Sequence, residues 1–229
     1  MKKFYLIGTF DEKTMKSIIV TFLIPLSFLT AYAQKDTTSF FFNEFDLTLN
    51  RTNLINDNTK DRFGFGLGVF RSMMEPKKVN LIFGVEYNLT SQLKKSIYMG
   101  HFAHATDVEY TIHNLSIPLN FRYNIGNKVK FFLQIGTFVD LIISSSRKGI
   151  MHTYLPDQNN KIVYKKFSFK EKAGLRNLNY GFSGGIGLRI PITKMELTIK
   201  TGYNLGLNNL SVDDNVYNRY FRLTVGLKI

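Results

Sequence analysis

The sequence predicts an all-β fold: an eight-stranded antiparallel transmembrane up-and-down β-barrel with short periplasmic turns and longer outer loops. Three observations predict it. Eight segments alternate apolar and polar residues with a period of two, the signature of strands with one greasy face. The connections between them alternate short and long. An export signal precedes them all.

The leader comes first in the chain. From Met15, Lys16 supplies a positive start, Ile18 to Leu29 an apolar core, and Ala31-Tyr32-Ala33 a small-x-small cleavage site. A core of 12 residues containing Pro25 is too short to span a bilayer as a helix. The expected division is 1–33 as signal peptide, with 1–14 an over-extended start, and 34–229 as the barrel. The competing reading of Ile18–Leu29 is a buried N-terminal helix.

The strands follow in order. They are expected at 41–51, 62–73, 79–90, 110–124, 129–143, 178–190, 196–207 and 219–229. In the first, Phe45, Leu47 and Leu49 oppose Glu44, Asp46 and Asn50. In the last, Phe221, Leu223, Val225 and Leu227 oppose Arg222, Thr224, Gly226 and Lys228. Tilted membrane strands need about 9–11 residues in the hydrocarbon, and most of these segments suffice. Turn-rich links at 75–78, 126–128 and 191–194 alternate with longer polar ones, the longest from about Ser144 to Asn177. An even strand count puts both ends of the barrel in the periplasm. Pro118, inside the fourth strand, predicts a bulge or local widening because it offers no N–H to the ladder.

Alternation alone does not separate a membrane barrel from an exported soluble carrier turned the other way. Volume and glycine decide. The apolar faces carry roughly 35–40 large side chains, far more than an eight-stranded interior holds. At least eleven of the 17 glycines lie on the polar faces, as in Gly64-x-Gly66-x-Gly68, where they make room in a crowded lumen. The apolar face therefore meets lipid.

The polar faces then supply a lumen charge network: Glu44, Asp46, Glu86, Asp140 and Glu196 against Arg122, Lys130, Arg189, Lys200, Arg222 and Lys228. Near-balance suits an ion-paired plug better than a selective pore. Arg189 and Glu196, across the 191–195 turn, should form a salt bridge, since an unpaired charge in so narrow an interior is costly. Arg222 and Lys228 should help balance Glu44 and Asp46, because the last strand must pair with the first. A charge at Val225 should cost about 2–4 kcal/mol near the midplane, and one at Thr224 should be tolerated better.

Without residues 1–33, the chain has 26 basic and 15 acidic side chains, a net +11. For an exported chain this points away from nucleic acid and toward anionic lipid or surface glycolipid phosphate. The longest outer link concentrates that charge in Arg147, Lys148, Lys161, Lys165, Lys166, Lys170 and Lys172, interleaved with Val163, Tyr164, Phe167 and Phe169. Its two readings are a solvated hairpin rising above the membrane and a contact surface for an anion. Phe40–Phe42, Tyr87, Tyr110, Tyr123, Tyr180 and Tyr203 read as interfacial girdles. Cysteine is absent, so neither disulfides nor a lipid anchor on cysteine enters.

His101, His104, His113 and His152 all fall at the outer ends of strands. His101-x-x-His104 is an incomplete metal motif, with Asp107 the nearest carboxylate. Ser96 or Ser116 with His113 and Glu109 could compose a hydrolase triplet, but no motif fixes its geometry. No catalytic, cofactor or metal site is expected.

The stretch Leu115-Ser116-Ile117-Pro118-Leu119-Asn120-Phe121-Arg122-Tyr123 resembles the L-x-I-P-L…Y strand of PorT-like outer-membrane β-barrel proteins. Gly64–Phe70, Phe132–Val139, Tyr180–Leu188 and Tyr203–Asn209 resemble further strands of that family, in the same order. The resemblance implies an integral barrel of a Gram-negative outer membrane, and its namesake takes part in protein secretion. A non-enzymatic surface-binding or secretion-accessory component is the expected function, with the barrel-insertion machinery and a secretion protein as partners. The alternatives are a narrow transport pore and an outer-membrane lipid-modifying hydrolase.

Overall fold

The computed structural model describes residues 41–52, 59–74, 78–100, 102–211 and 216–229. The signal-peptide assignment, His101 and Phe40 lie outside these residues. Among the described residues ten strands follow one another: β1 (Glu44–Thr52), β2 (Thr59–Lys60), β3 (Arg62–Met73), β4 (Val79–Tyr98), β5 (Ala103–Ile125), β6 (Lys130–Pro156), β7 (Ile162–Lys172), β8 (Leu178–Ile192), β9 (Met195–Gly206) and β10 (Arg219–Lys228). Eight of them close a wall, β1-β3-β4-β5-β6-β8-β9-β10 and back to β1. Every pairing is antiparallel, and the closing seam runs from Glu44↔Lys228 to Thr52↔Tyr220. Closure leaves the wall no open edge, which a bilayer demands.

The faces point as glycine and volume require. Leu47, Leu49, Phe65, Leu67, Ile135 and Val225 stand exposed on the outside, while Glu44, Asn88, Arg122, Asp140 and Thr198 are fully enclosed. Luminal glycines face rings and backbone: a Cβ on Gly181 would lie 2.0 Å from the Leu205 carbonyl oxygen and 2.8 Å from the Phe138 ring. One on Gly68 would lie 2.6 Å from the Phe70 ring. At the periplasmic end Gly126 takes φ +104°, a turn conformation that glycine alone adopts freely.

The strands outgrow their expected lengths on one side only. β4, β5 and β6 contain 20, 23 and 27 residues, and a crossing uses only about 9–11. The expected outer links after the third and fifth strands are therefore largely β-structure, with β7 added on β6. The result is a sheet of β4–β5–β6–β7 standing above the barrel wall. Composition offered the β6–β7 hairpin as one reading, but not its continuity with β4 and β5, because strand pairing requires only a backbone partner.

Pro118 sits in a regular register against β6, opposite Phe138. On its other side the β4–β5 ladder lapses at Gly84–Val85 and resumes in the same register. The predicted disturbance is a break in the β4–β5 ladder without a bulge. The register shifts occur higher up, at His113/Asn114 and Thr106/Glu109. The first leaves Ile143 as an extra residue on β6 and reverses which of its side chains face inward. Asp140 and Ile142 point in below it, and Ser145 points in above it.

Candidate functional site: a filled lumen and an outer sheet

Ten of the eleven expected luminal charges meet partners of opposite sign. Arg122 donates two hydrogen bonds to Glu44, at 3.0 and 2.7 Å, with both side chains wholly enclosed. It also bonds Gln134 and lies 4.5 Å over the Phe132 ring. Lys200 pairs with Asp46, and Arg222 with Glu86. Glu196 gathers three cations: Lys130 at 2.9 Å, Arg189 at 3.0 Å and Lys228 at 3.7 Å. The Arg189–Glu196 bridge expected across the turn is thus present, reached diagonally because Glu196 itself stands opposite Pro191.

Arg222 and Lys228 point inward as expected, Arg222 pairing with Glu86 and Lys228 with Glu196. Glu44 takes Arg122 from across the lumen, and Asp46 takes Lys200 from β9, beyond β10 along the wall. One expectation is corrected. Asp140 joins no ion pair among the described residues. It accepts from the Asn179 amide at 2.8 Å and the Asn218 amide at 3.3 Å. Amides elsewhere extend this polar layer, as in Asn50 donating to Asn88 at 3.0 Å.

The sequence reading missed the rings that fill the gaps, Phe70, Phe132 and Phe138. Their even positions match the polar face of their strands, so parity alone could have found them. Beside Phe138, Pro118 and Lys200 remains a cavity of about 40 Å³, room for one to a few waters. Above it the outer mouth is closed by an apolar cluster: Val108, Tyr110 and Ile112 of β5, Ile142 of β6, and Ala173, Leu210 and Val216 from the outer connections. Backbone bonds hold the stopper, Arg176 N–H to Leu210 C=O at 2.7 Å and Leu210 N–H to Val216 C=O at 2.8 Å. Tyr110 is therefore a stopper residue, contrary to its expected girdle role. Tyr123 and Tyr180 are exposed on the outside, and Tyr203 packs on Phe221 with ring centroids 4.7 Å apart.

The seven basic residues of the long outer link do not form one surface. The reversed parity of β6 puts Lys148 on the outer face, and its register with β7 adds Lys166, Lys170 and Lys172 to that face. Arg147 and Lys165 lie on the opposite face, which leans over the mouth through Met151 and Phe169. Lys161 belongs to the turn, where its N–H reaches Asp157. Arg147 is tied to Glu171 at 2.7 Å, and Lys148 to Glu109 at 3.0 Å.

The hydrolase triplet does not assemble. Ser116 is buried in the lumen, while His113 faces outward and its Nδ1 meets the Tyr87 hydroxyl at 2.6 Å. Ser96 pairs with Thr106, seven residues up β5 from His113, about 20 Å along the strand. Instead, the fold joins His104 to His152, whose rings stack at 4.6 Å and 6°. His152 Nε2 contacts Thr106 Oγ1 at 3.0 Å, and its Nδ1 meets the Tyr164 hydroxyl.

A closed wall of eight antiparallel strands, greasy outside and ion-paired inside, defines an integral outer-membrane β-barrel. The chain belongs to the outer membrane protein β-barrel domain family, whose model matches residues 62–212. This places it in the bacterial outer membrane. Similar solved structures include Neisserial surface protein A, 13% identical, covering 85% of this chain and 99% of that one at a TM-score of 0.45. Ail, the attachment invasion locus protein of Yersinia pestis, is 13% identical over 82% of this chain and 97% of its own, at 0.34. The N-terminal barrel domain of Pseudomonas aeruginosa OprF is 10% identical over 81% and 96%, at 0.33. No curated protein matches the chain.

Proposed function

We propose that this protein is a non-enzymatic, plugged barrel that works through the sheet it raises above the outer leaflet, as a surface-binding or secretion-accessory component. The observation that carries the reading is the occupied lumen: enclosed ion pairs and rings beneath an apolar cluster, with a cavity of about 40 Å³ beside Phe138. The part left to act is the β4–β7 sheet. Its outer lysines, Lys148, Lys166, Lys170 and Lys172, share one face and suit phosphate on surface glycolipid. The secretion role rests on the PorT-like resemblance of the Leu115–Tyr123 strand.

Planar-bilayer recording of the refolded barrel tests the plugged lumen. No unit conductance is expected, and reproducible discrete steps would establish a transport pore instead. For the outer face, binding of phosphorylated and dephosphorylated glycolipid should differ, and the difference should vanish when Lys148, Lys166 and Lys170 become glutamate. Equal binding of the two lipids would sink the phosphate contact.

A further inference from the structure

The wall of the barrel has no edge, but the sheet above it has one. Strand β7 pairs with β6 along its whole length, from Ser146↔Lys172 to Pro156↔Ile162, and among the described residues no strand lies on its other side. Two hydrogen bonds settle which backbone groups are open. Ala173 N–H donates to Ser145 C=O at 3.2 Å, and Asp157 N–H donates to Lys161 C=O at 2.8 Å. Odd-numbered residues of β7 therefore turn their backbone toward β6. In an antiparallel ladder the even ones must turn away. The open N–H and C=O groups belong to Tyr164, Lys166, Ser168, Lys170 and Lys172.

The side chains of this edge select what can add to it. Lys165, Lys166, Lys170 and Lys172 face a single carboxylate in the strand, Glu171, and that one is held by Arg147 at 2.7 Å. A second copy of β7 would bring lysine against lysine, which destabilises cross-strand pairs. Edge lysines in general discourage self-pairing for this reason. A strand with acidic residues at alternate positions meets the opposite situation. Its carboxylates would lie beside Lys166, Lys170 and Lys172, with Lys148 one strand further in. Its other face would cover Phe167, which is 44% exposed.

From this edge we infer that β7 is a strand-addition site for an extended segment of a partner protein, alternately acidic and apolar, which docks as a further strand of the β4–β7 sheet. This goes beyond the phosphate contact, and the two are separable. Phosphate needs only lysine side chains, whereas strand addition also needs the open backbone donors.

The test uses the full barrel in zwitterionic nanodiscs and a synthetic peptide of alternating glutamate and valine, about six residues long as strands commonly are. Amide exchange at Tyr164, Lys166, Ser168 and Lys170 should slow on adding the peptide, while odd-numbered amides, already bonded to β6, stay unchanged. Ser168→Pro removes one open donor and no β6–β7 bond, a placement edge strands tolerate. It should weaken peptide binding about tenfold, roughly 1.4 kcal/mol, and leave glycolipid binding intact. The pair Lys166→Glu and Lys170→Glu should shift preference to a lysine–valine peptide, a readout that does not depend on the proline variant folding. The inference is overturned if the acidic peptide fails to bind, or binds without protecting the even amides. It is overturned equally if Ser168→Pro, folded, binds as before, or if the even amides become protected by protein concentration alone.

Discussion

Arg122 and Glu44 illustrate what a charge inside this barrel requires. Both are wholly enclosed, and the guanidinium spreads its donors over two carboxylate oxygens and Gln134. Two ions taken out of water repay their desolvation only with such geometry, and losing one partner strands the other. Arg122→Met should therefore cost about 3–5 kcal/mol, read as a lower urea midpoint of the refolded barrel. The double variant with Glu44→Leu should recover most of that loss. Stability of the double variant no better than the single would show that the pair acts through something other than mutual compensation. The pairing itself was beyond a sequence reading, since Arg122 and Glu44 are 78 positions apart and meet across the lumen.

At the scale of the element, the outer sheet is where titration matters. His152 lies above the membrane span, stacked on His104 and held to Thr106 and Tyr164. Loss of hydration holds its pKa below the usual 6.5, and the neighbouring His104 and Lys166 lower it further. A histidine depressed in the folded state binds its proton less readily folded than unfolded. Its contribution is complete above pH 6.5 and is lost as the pH falls from there through the folded pKa. Amide exchange in the β5–β7 sheet should accelerate over that window while the barrel wall is unaffected. His152→Gln should flatten the response, and a profile unchanged by that substitution would exclude the histidine as its origin. That residues 144–172 carry a hairpin was readable from their composition. That the bulge at Ile143 sends Lys148 outward and Arg147 over the mouth was not, because one inserted residue exchanges the faces of everything beyond it.

For the whole molecule, closure is the governing event, and the β1–β10 seam tests it. Val225 faces outward opposite Leu47, so Val225→Lys should lose about 2–4 kcal/mol if it lies near the midplane, seen as a lower fraction of heat-resistant barrel. Thr224 faces inward, 3.0 Å from Thr48 and opposite Lys200. The sequence expectation that it tolerates charge then acquires a sign: Thr224→Glu should retain the fold and Thr224→Lys should not. Equal losses for these two would mean that volume, not charge, limits the lumen there.

The period of two, the glycines on the polar faces and the surplus of large apolar side chains determined by themselves that this is a barrel with its grease outside, for each is a local property of a strand lying between lipid and a narrow interior. Only the tertiary structure decided which charges pair, which residues stopper the mouth and which edge stays open. Those outcomes depend on register and on the width of the closed wall, quantities set by all eight strands together and carried by none alone.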